Sequence, residues 1–311
     1  SGNDVIAQPG APGGLHPSEV TLAEVLKAAG YKTAMYGKWH VGEMPERQPQ
    51  MQGFDEFWGI LSTSLPTDPT DRDIQTMGVP MQQILAAKAG AKAEQVGQMT
   101  REYRGLIDRE ITDKAVAYIK AHSKGKEPFF LYVPFINPHH PVVAHPGFKG
   151  KSGGGTYSDV LMEIDHNTGR VMDAIKESGI DDNTIVVWFS DNGPTRYSLL
   201  PYENGDPGQW TGELGSVFEG GLRTAGMIRW PGTIKAMVAD ELFHEMDFFP
   251  TFARWAGATV PDDRPIDGVD QSDYLLGKQP QSKRDHVIVY YNGEYAALRY
   301  RQFKLIRAVY P

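Results

Sequence analysis

The stretch TIVVWFSDNGP, Thr184 to Pro194, crowds β-branched and aromatic residues into a buried strand and ends it abruptly in an acid, an amide and a glycine. The same pattern occurs twice earlier. PFFLYVPFINPHHP carries an apolar strand from Phe129 to Phe135 into a loop with His139 and His140, and GYKTAMYGKWHVG carries a strand into GKWH, with Lys38 and His40 at its far end. Strands of this kind alternating with helices predict an α/β fold: a mainly parallel central sheet flanked by helices on both faces.

The helices are marked as clearly. Thr21 and Glu24 have capping-box spacing, Leu22, Val25, Leu26 and Ala29 form one apolar stripe, and Gly30 suits a left-handed helix end. Further helices are predicted over 107–121 and over 158–177, where Val160, Ile164, Val171 and Ile175 turn to the core. Residues 61–91 have weak periodicity and several prolines, and read as a long surface excursion. From Glu241 the pattern changes to a helix, EMDFFPTFARWAG, then a loop rich in Pro and Asp, then HVIVYY and YAALRYRQFKLI as two strands of a hairpin. The expected organisation is an α/β core over 1–238 and a small C-terminal β-rich lobe over 239–311.

Composition excludes several function classes. The 311 residues carry a net charge of −8 with the basic residues dispersed, which leaves no electrostatic footprint for nucleic acid. No apolar run reaches the length of a membrane span. With 0 Cys, disulfides, thiolate metal sites and cysteine nucleophiles are absent from these residues. The first residues, SGNDVIAQPGAPGGLHP, have neither the basic start nor the apolar core of a signal peptide.

In an open parallel sheet the loops at the carboxyl ends of the strands gather into the ligand crevice. Three such loops carry reactive side chains: Lys38 with His40, His139 with His140, and Asp191 with Asn192. Each has an ordinary reading as well. Asp-Asn-Gly is a common turn, Lys38 and His40 can be solvated residues flanking a packed Trp39, the prolines around His139-His140 suit a rigid surface turn, and EGGLR, Glu219 to Arg223, suits a helix end.

Taken together the segments are more specific. GYKTAMYGKWHVGE, GFDEFWG, NPHHP, YSDVLMEIDHNTGRVMDAI, NTIVVWFSDNG, FEGGLRTAGMIRWPG and MDFFPTFARWAGA follow one another as in the sulfatase family of the alkaline phosphatase superfamily, which the chain resembles over almost its whole length. The resemblance implies hydrolysis of small-molecule sulfate monoesters by a formylglycine, made from Cys or Ser in a Cys/Ser-x-Pro/Ala-x-Arg motif, with Ca²⁺ or Mg²⁺ bound beside it. By the match to SDNG, Asp191 and Asn192 are two oxygen ligands of that cation. By the match to GKWH, Lys38 contacts sulfate oxygens and His40 orients the hydrated aldehyde. By the match to PHxP, His139 contacts sulfate and protonates the leaving alcohol, while His140 falls where the family varies. A periplasmic or secreted location is implied for the full-length family member.

The departures from the family are equally specific. Leu214 stands where the family has a Lys five residues before the Glu of EGG, so that a catalytic cation is missing or replaced by Arg223 or His139. No Cys is present, and the nearest Ser-x-Pro sequence, at Ser64, ends in Asp68 instead of Arg. The paired Asp ligands and the nucleophile motif that precede the GYKTA helix in the family are not matched. The sequence therefore reads as a sulfatase lacking its N-terminal segment and part of its C-terminal lobe, impaired or inactive alone. Two alternatives stand beside it: a phosphate or phosphonate monoester hydrolase of the same superfamily, and a non-catalytic sulfatase-like fragment.

Overall fold

The computed structural model describes residues 12–62, 81–195, 205–291 and 293–308. The chain divides into two compact units, one within Val5–Gly179 and one within Ile180–Pro311.

In the first unit, α1 (Leu22–Ala28) opens with the capping box that its sequence predicts: Glu24 N–H donates to Thr21 Oγ1 at 3.1 Å and Thr21 N–H donates to Glu24 Oε2 at 2.7 Å. The chain then enters β1 (Lys32–Lys38), the strand between β2 (Glu56–Ile60) and β5 (Phe129–Tyr132), parallel to both. Beyond β2 lie β3 (Gln83–Lys88) and β4 (Glu94–Gln98), each antiparallel to its neighbour, so the order is β4-β3-β2-β1-β5 and the sheet is mixed. The predicted surface excursion thus contributes a strand, β3, within its described part; residues 63–80, which include Ser64 and Asp68, lie outside the described residues. The ladder of β5 ends at Tyr132, short of the predicted Phe135.

Both faces of this sheet are covered. Ala34 and Tyr36 of β1 with Trp58 and Ile60 of β2 pack on Ile107, Ile111, Ala115 and Tyr118 of α3 (Ile107–His122), which follows the single turn α2 (Arg101–Arg104). On the opposite face Met35 and Phe57 pack with Ala23 of α1, Phe54 and Leu61. This is the period-two alternation of a strand buried on both sides. The long helix α4 (Thr156–Glu177) lies on α3 and adds Val171 to the first core.

In the second unit, β6 (Val186–Phe189) pairs antiparallel with β7 (Gly226–Arg229). The Thr184 strand was expected to share a parallel sheet with the other two; among the described residues its partner is β7 instead. Its apolar side chains find cover within the unit, Phe189 lying 5.5 Å from the ring of Phe248 on α6 (Phe248–Trp255), the helix predicted from EMDFFPTFARWAG. The turn α5 (Glu219–Leu222) precedes β7, and α7 (Ser272–Leu275) follows α6. The expected C-terminal hairpin is a three-stranded antiparallel sheet, β8 (His286–Tyr291), β9 (Glu294–Tyr300) and β10 (Phe303–Ile306), in the order β10-β9-β8. YAALRYRQFKLI reverses at Arg301, whose φ is +49°, and so supplies two strands where one was predicted.

Candidate active site

Backbone approach at two glycines assembles the candidate site of the first unit. Gly37 and Gly59 face each other across β1 and β2, and a Cβ on Gly37 would run into the Pro134 carbonyl oxygen. Lys38 N–H donates to that same oxygen at 3.1 Å, which brings the end of β1 to the chain leading to His139. Past Lys38 the main chain stays bonded to the β2 side, Trp39 N–H to Ile60 O and His40 N–H to Leu61 O, both at 2.9 Å. His40 then takes a φ of +64°, a left-handed conformation that is uncommon for a residue with a Cβ.

Electrostatics ties the three side chains together. Burial and then the positive charge of Lys38 lower His40 to about 4. The same two causes, in the same order, lower His139 to about 3. Lys38 is therefore the fixed cation of the group, and both imidazoles are neutral at neutral pH. His139 Nδ1 lies 2.7 Å from the carbonyl oxygen of His140, which can only accept, so Nδ1 carries the proton and Nε2 the lone pair.

A buried ion pair holds the His139 loop. Arg104, fully buried at the end of α2, donates from Nη2 to the His139 carbonyl at 2.9 Å. Asp108, one turn on and 1% exposed, accepts from Ile136 N–H at 2.7 Å and Asn137 N–H at 3.0 Å. The two are 3.8 Å apart, Arg104 Nη1 to Asp108 Oδ2. Neither was singled out from the sequence; their i,i+4 spacing was the available signal, and on its own it describes an ordinary solvated helix pair.

Asp191 and Asn192 belong to the second unit. Their turn is fixed by glycine-to-glycine packing: Gly193 N–H donates to Gly221 O at 3.0 Å, and a Cβ on Gly193 would run into the Gly220 carbonyl oxygen. Asn192 Nδ2 donates to Gly193 O at 2.8 Å, leaving Oδ1 as the amide atom outside that bond. Asp191 is exposed, and its negative charge, after burial, is the second cause that raises Glu245 to about 7. Glu245 thus stands as a second carboxyl near Asp191, and nothing in its sequence context announces it.

EGGLR forms the short helix α5 at the start of β7. Glu219 is held by Arg299 of β9 at 3.0 Å, Lys304 of β10 at 2.9 Å and Arg223 at 2.7 Å. Arg223 also stacks on Trp210, 4.2 Å from its ring, so the cation considered as a replacement for the missing Lys is committed to Glu219 and Trp210. Leu214 N–H donates to Pro194 O at 2.9 Å, which ties its main chain to the end of the Asp191 turn, and its side chain is exposed.

The oxygen donors present suit a hard cation in kind and fall short in number. Ca²⁺ takes six to eight oxygens; the expected ligands Asp191 and Asn192 would supply two, and among the described residues no group of three or more His, Asp or Glu is placed to hold a metal.

A sheet covered by helices on both faces, with Lys38, His40 and His139 following its strands β1 and β5, defines an α/β protein. The family follows from comparison: a model described as Sulfatase matches residues 3–258, and the chain belongs to the sulfatase family. It is 34% identical over 292 residues to N-acetylgalactosamine-6-sulfatase of Canis lupus familiaris, covering 91% of this chain and 53% of that protein. It is 34% identical over 303 residues to arylsulfatase A of Bos taurus, covering 93% of this chain and 57% of that one. Among solved structures, the PsFucS1 sulfatase from Pseudoalteromonas sp. superposes with a TM-score of 0.87 at 30% identity, over 94% of this chain and 61% of that one. The chain spans about half the length of the curated relatives it matches. Among the described residues no helix is long and apolar enough to cross a membrane.

Proposed function

We propose that the chain supplies the sulfate-binding and cation-binding residues of a sulfatase acting on small-molecule sulfate monoesters. Lys38 and His139 hold sulfate oxygens, His40 orients the nucleophile, and Asp191 with Asn192 gives two oxygens to Ca²⁺ or Mg²⁺, the cation supplying Lewis-acid polarisation of the sulfate when bound. This reading is supported by the bond from Lys38 N–H to Pro134 O, 3.1 Å, which ties the end of β1 to the chain leading to His139, together with the charge of Lys38 acting on both His40 and His139. Fixed positive charge serves best where negative charge develops on the departing oxygen. His139 enters with its lone pair on Nε2; an anion bound beside Lys38 offsets the charge that depresses it and favours protonation there, which readies it to protonate a leaving alcohol.

The nucleophile is the incomplete part. In the sulfatases this chain resembles it is a formylglycine, and the 311 residues contain 0 Cys and no Ser followed by x-Pro/Ala-x-Arg. We infer that the 311 residues alone bind a sulfate ester without turning it over. Leu214 supports a second reading, a phosphate or phosphonate monoester hydrolase, because an uncharged side chain stands where the family has a Lys and so changes the charge balance that separates the two anions.

An aryl sulfate and the matching aryl phosphate, assayed with the 311-residue chain, test both readings. Negligible sulfate turnover is expected, with binding of the ester lost in Lys38→Ala and His139→Ala. Sulfate turnover at an ordinary enzymatic rate, roughly 1 to 10³ s⁻¹, abolished by those changes, would overturn the claim about the nucleophile. A preference for the phosphate, with the same mutational pattern, would select the second reading.

A further inference from the structure

Away from Lys38 and His139, α3, α4 and the turn after Ala144 line a half-open pocket of about 250 Å³. A water occupies about 30 Å³ of liquid, so the space admits a small polyatomic ion with part of its hydration shell. Its walls carry Arg109 from α3, His166, Asn167 and Arg170 from α4, and His145 from the turn. Glu163 of α4 and Phe148 of the turn complete the lining; the other five are hydrogen-bond donors or cations, or become so on protonation.

Two of the walls lack an acceptor. Asn167 is 2% exposed and its Nδ2 has no hydrogen-bond partner. A buried amide donor left unmade costs on the order of 1–3 kcal/mol, and natural structures rarely tolerate one without a ligand or water to satisfy it. His145 shows the same deficit. Its Nδ1 accepts from the Gly147 N–H at 3.0 Å, which puts the proton of the neutral ring on Nε2. There it faces Arg109 Nη1, a second donor, at 3.4 Å. Two donors directed at one another are reconciled by an acceptor placed between them.

The geometry points to an oxyanion site here: a tetrahedral sulfate or phosphate group held by Arg109, His145 and Asn167, with Arg170 and His166 at the rim. Two carboxyls bear on it. Asp113 pairs with Arg170 at 2.5 Å, in a half-exposed contact that leaves Arg109 as the cation for the ion. Glu163 accepts the main-chain N–H of His145 at 2.9 Å, and burial is the main reason its pKa rises to about 7, so that its charge opposes an anion less than an ordinary carboxylate would. The donors sit largely on two packed helices, which holds them in place before a ligand arrives. This site is independent of the hydrolytic reading and uses none of its residues.

The experiment is calorimetric titration of the Lys38→Ala/His139→Ala chain, which removes the other anion-binding residues. Sodium sulfate, sodium phosphate and a monosaccharide sulfate are titrated separately, with sodium chloride as the ionic-strength control. One saturable oxyanion site per chain is expected. Arg109→Gln, an exposed position whose loss does not threaten the fold, weakens it by about tenfold or more, as the loss of one charge-assisted contact does; Asn167→Leu weakens it as well. Binding of all three ligands assigns the site to a sulfated carbohydrate, and binding of the inorganic ions alone assigns it to a free ion. Absence of saturable binding, or an affinity that Arg109→Gln leaves unchanged with circular dichroism intact, would overturn the proposal.

Discussion

Arg104 donates from Nη2 to the main-chain carbonyl of His139 at 2.9 Å, and it does so from a position with no solvent exposure. The loop of the candidate histidine is therefore held by a fully buried side chain. With Asp108 holding the N–H groups of Ile136 and Asn137, the loop is gripped from both sides of the peptide, carbonyl and amide.

Removing either partner leaves the other charge buried. Arg104→Met and Asp108→Asn should each lower the unfolding free energy by about 3–5 kcal/mol, the usual result of breaking a buried pair from one side. Denaturant unfolding measures this, and a loss below about 1 kcal/mol for both would show that the pair does not hold the loop.

Glycine substitutions separate close packing from conformational freedom. Gly193→Ala drives a Cβ into the Gly220 carbonyl and should cost about 1–3 kcal/mol or more while displacing Asp191 and Asn192. Gly169, in the middle of α4 with open space around its Cα, is the opposite case. Gly169→Ala should raise stability by about 0.5–1 kcal/mol, as replacing a mid-helix glycine does. Thermal or denaturant unfolding of the two variants should give changes of opposite sign.

His40 and His139 are both depressed in the folded chain, to about 4 and about 3, from an ordinary value of 6.5. As pH falls below 6.5 the unfolded chain takes up protons that the folded chain refuses. The stability associated with the two rings is thus complete above pH 6.5 and is lost progressively down to pH 3–4. His40→Asn, which tolerates the left-handed backbone, and His139→Gln should each flatten the fall of stability with pH in that window. An unchanged slope in both would show that the rings are not buried as neutral groups.

Much of this was legible in the sequence, and the illegible parts share a cause. The capping box at Thr21, the strand into GKWH, the helices over Ile107–His122 and Thr156–Glu177, and the sulfatase segments were all readable, because each is set by local periodicity or by an unbroken motif. The pairing of β6 with β7 was not, since four apolar residues in a row specify burial and leave the partner open. Gln83 to Lys88 has no strict alternation, so β3 was hidden within an expected loop. Arg104 and Asp108 look like a surface pair until tertiary structure covers them, and Glu245 acquires its meaning only from Asp191.

Calcium titration distinguishes an incomplete cation site from a complete one. Asp191 and Asn192 supply two oxygens where six to eight are needed. The 311-residue chain should bind Ca²⁺ at most weakly by calorimetry. Tight one-to-one binding abolished by Asp191→Ala would mean that further residues of these 311 complete the shell.

The coupling between Lys38 and the two histidines can be read directly. Its charge is the second cause, after burial, of the depression of both rings. Lys38→Gln removes that charge and keeps a polar side chain of similar reach, so the midpoints of His40 and His139 should both rise in an NMR titration of the imidazole signals. They should stay below 6.5, because burial, the larger cause, is untouched. The nitrogen shifts of His139 should show its neutral proton on Nδ1 before and after the change, since the bond to the His140 carbonyl does not depend on Lys38. A rise at one histidine and not the other would separate the two rings and remove the arrangement on which the sulfate-binding reading rests.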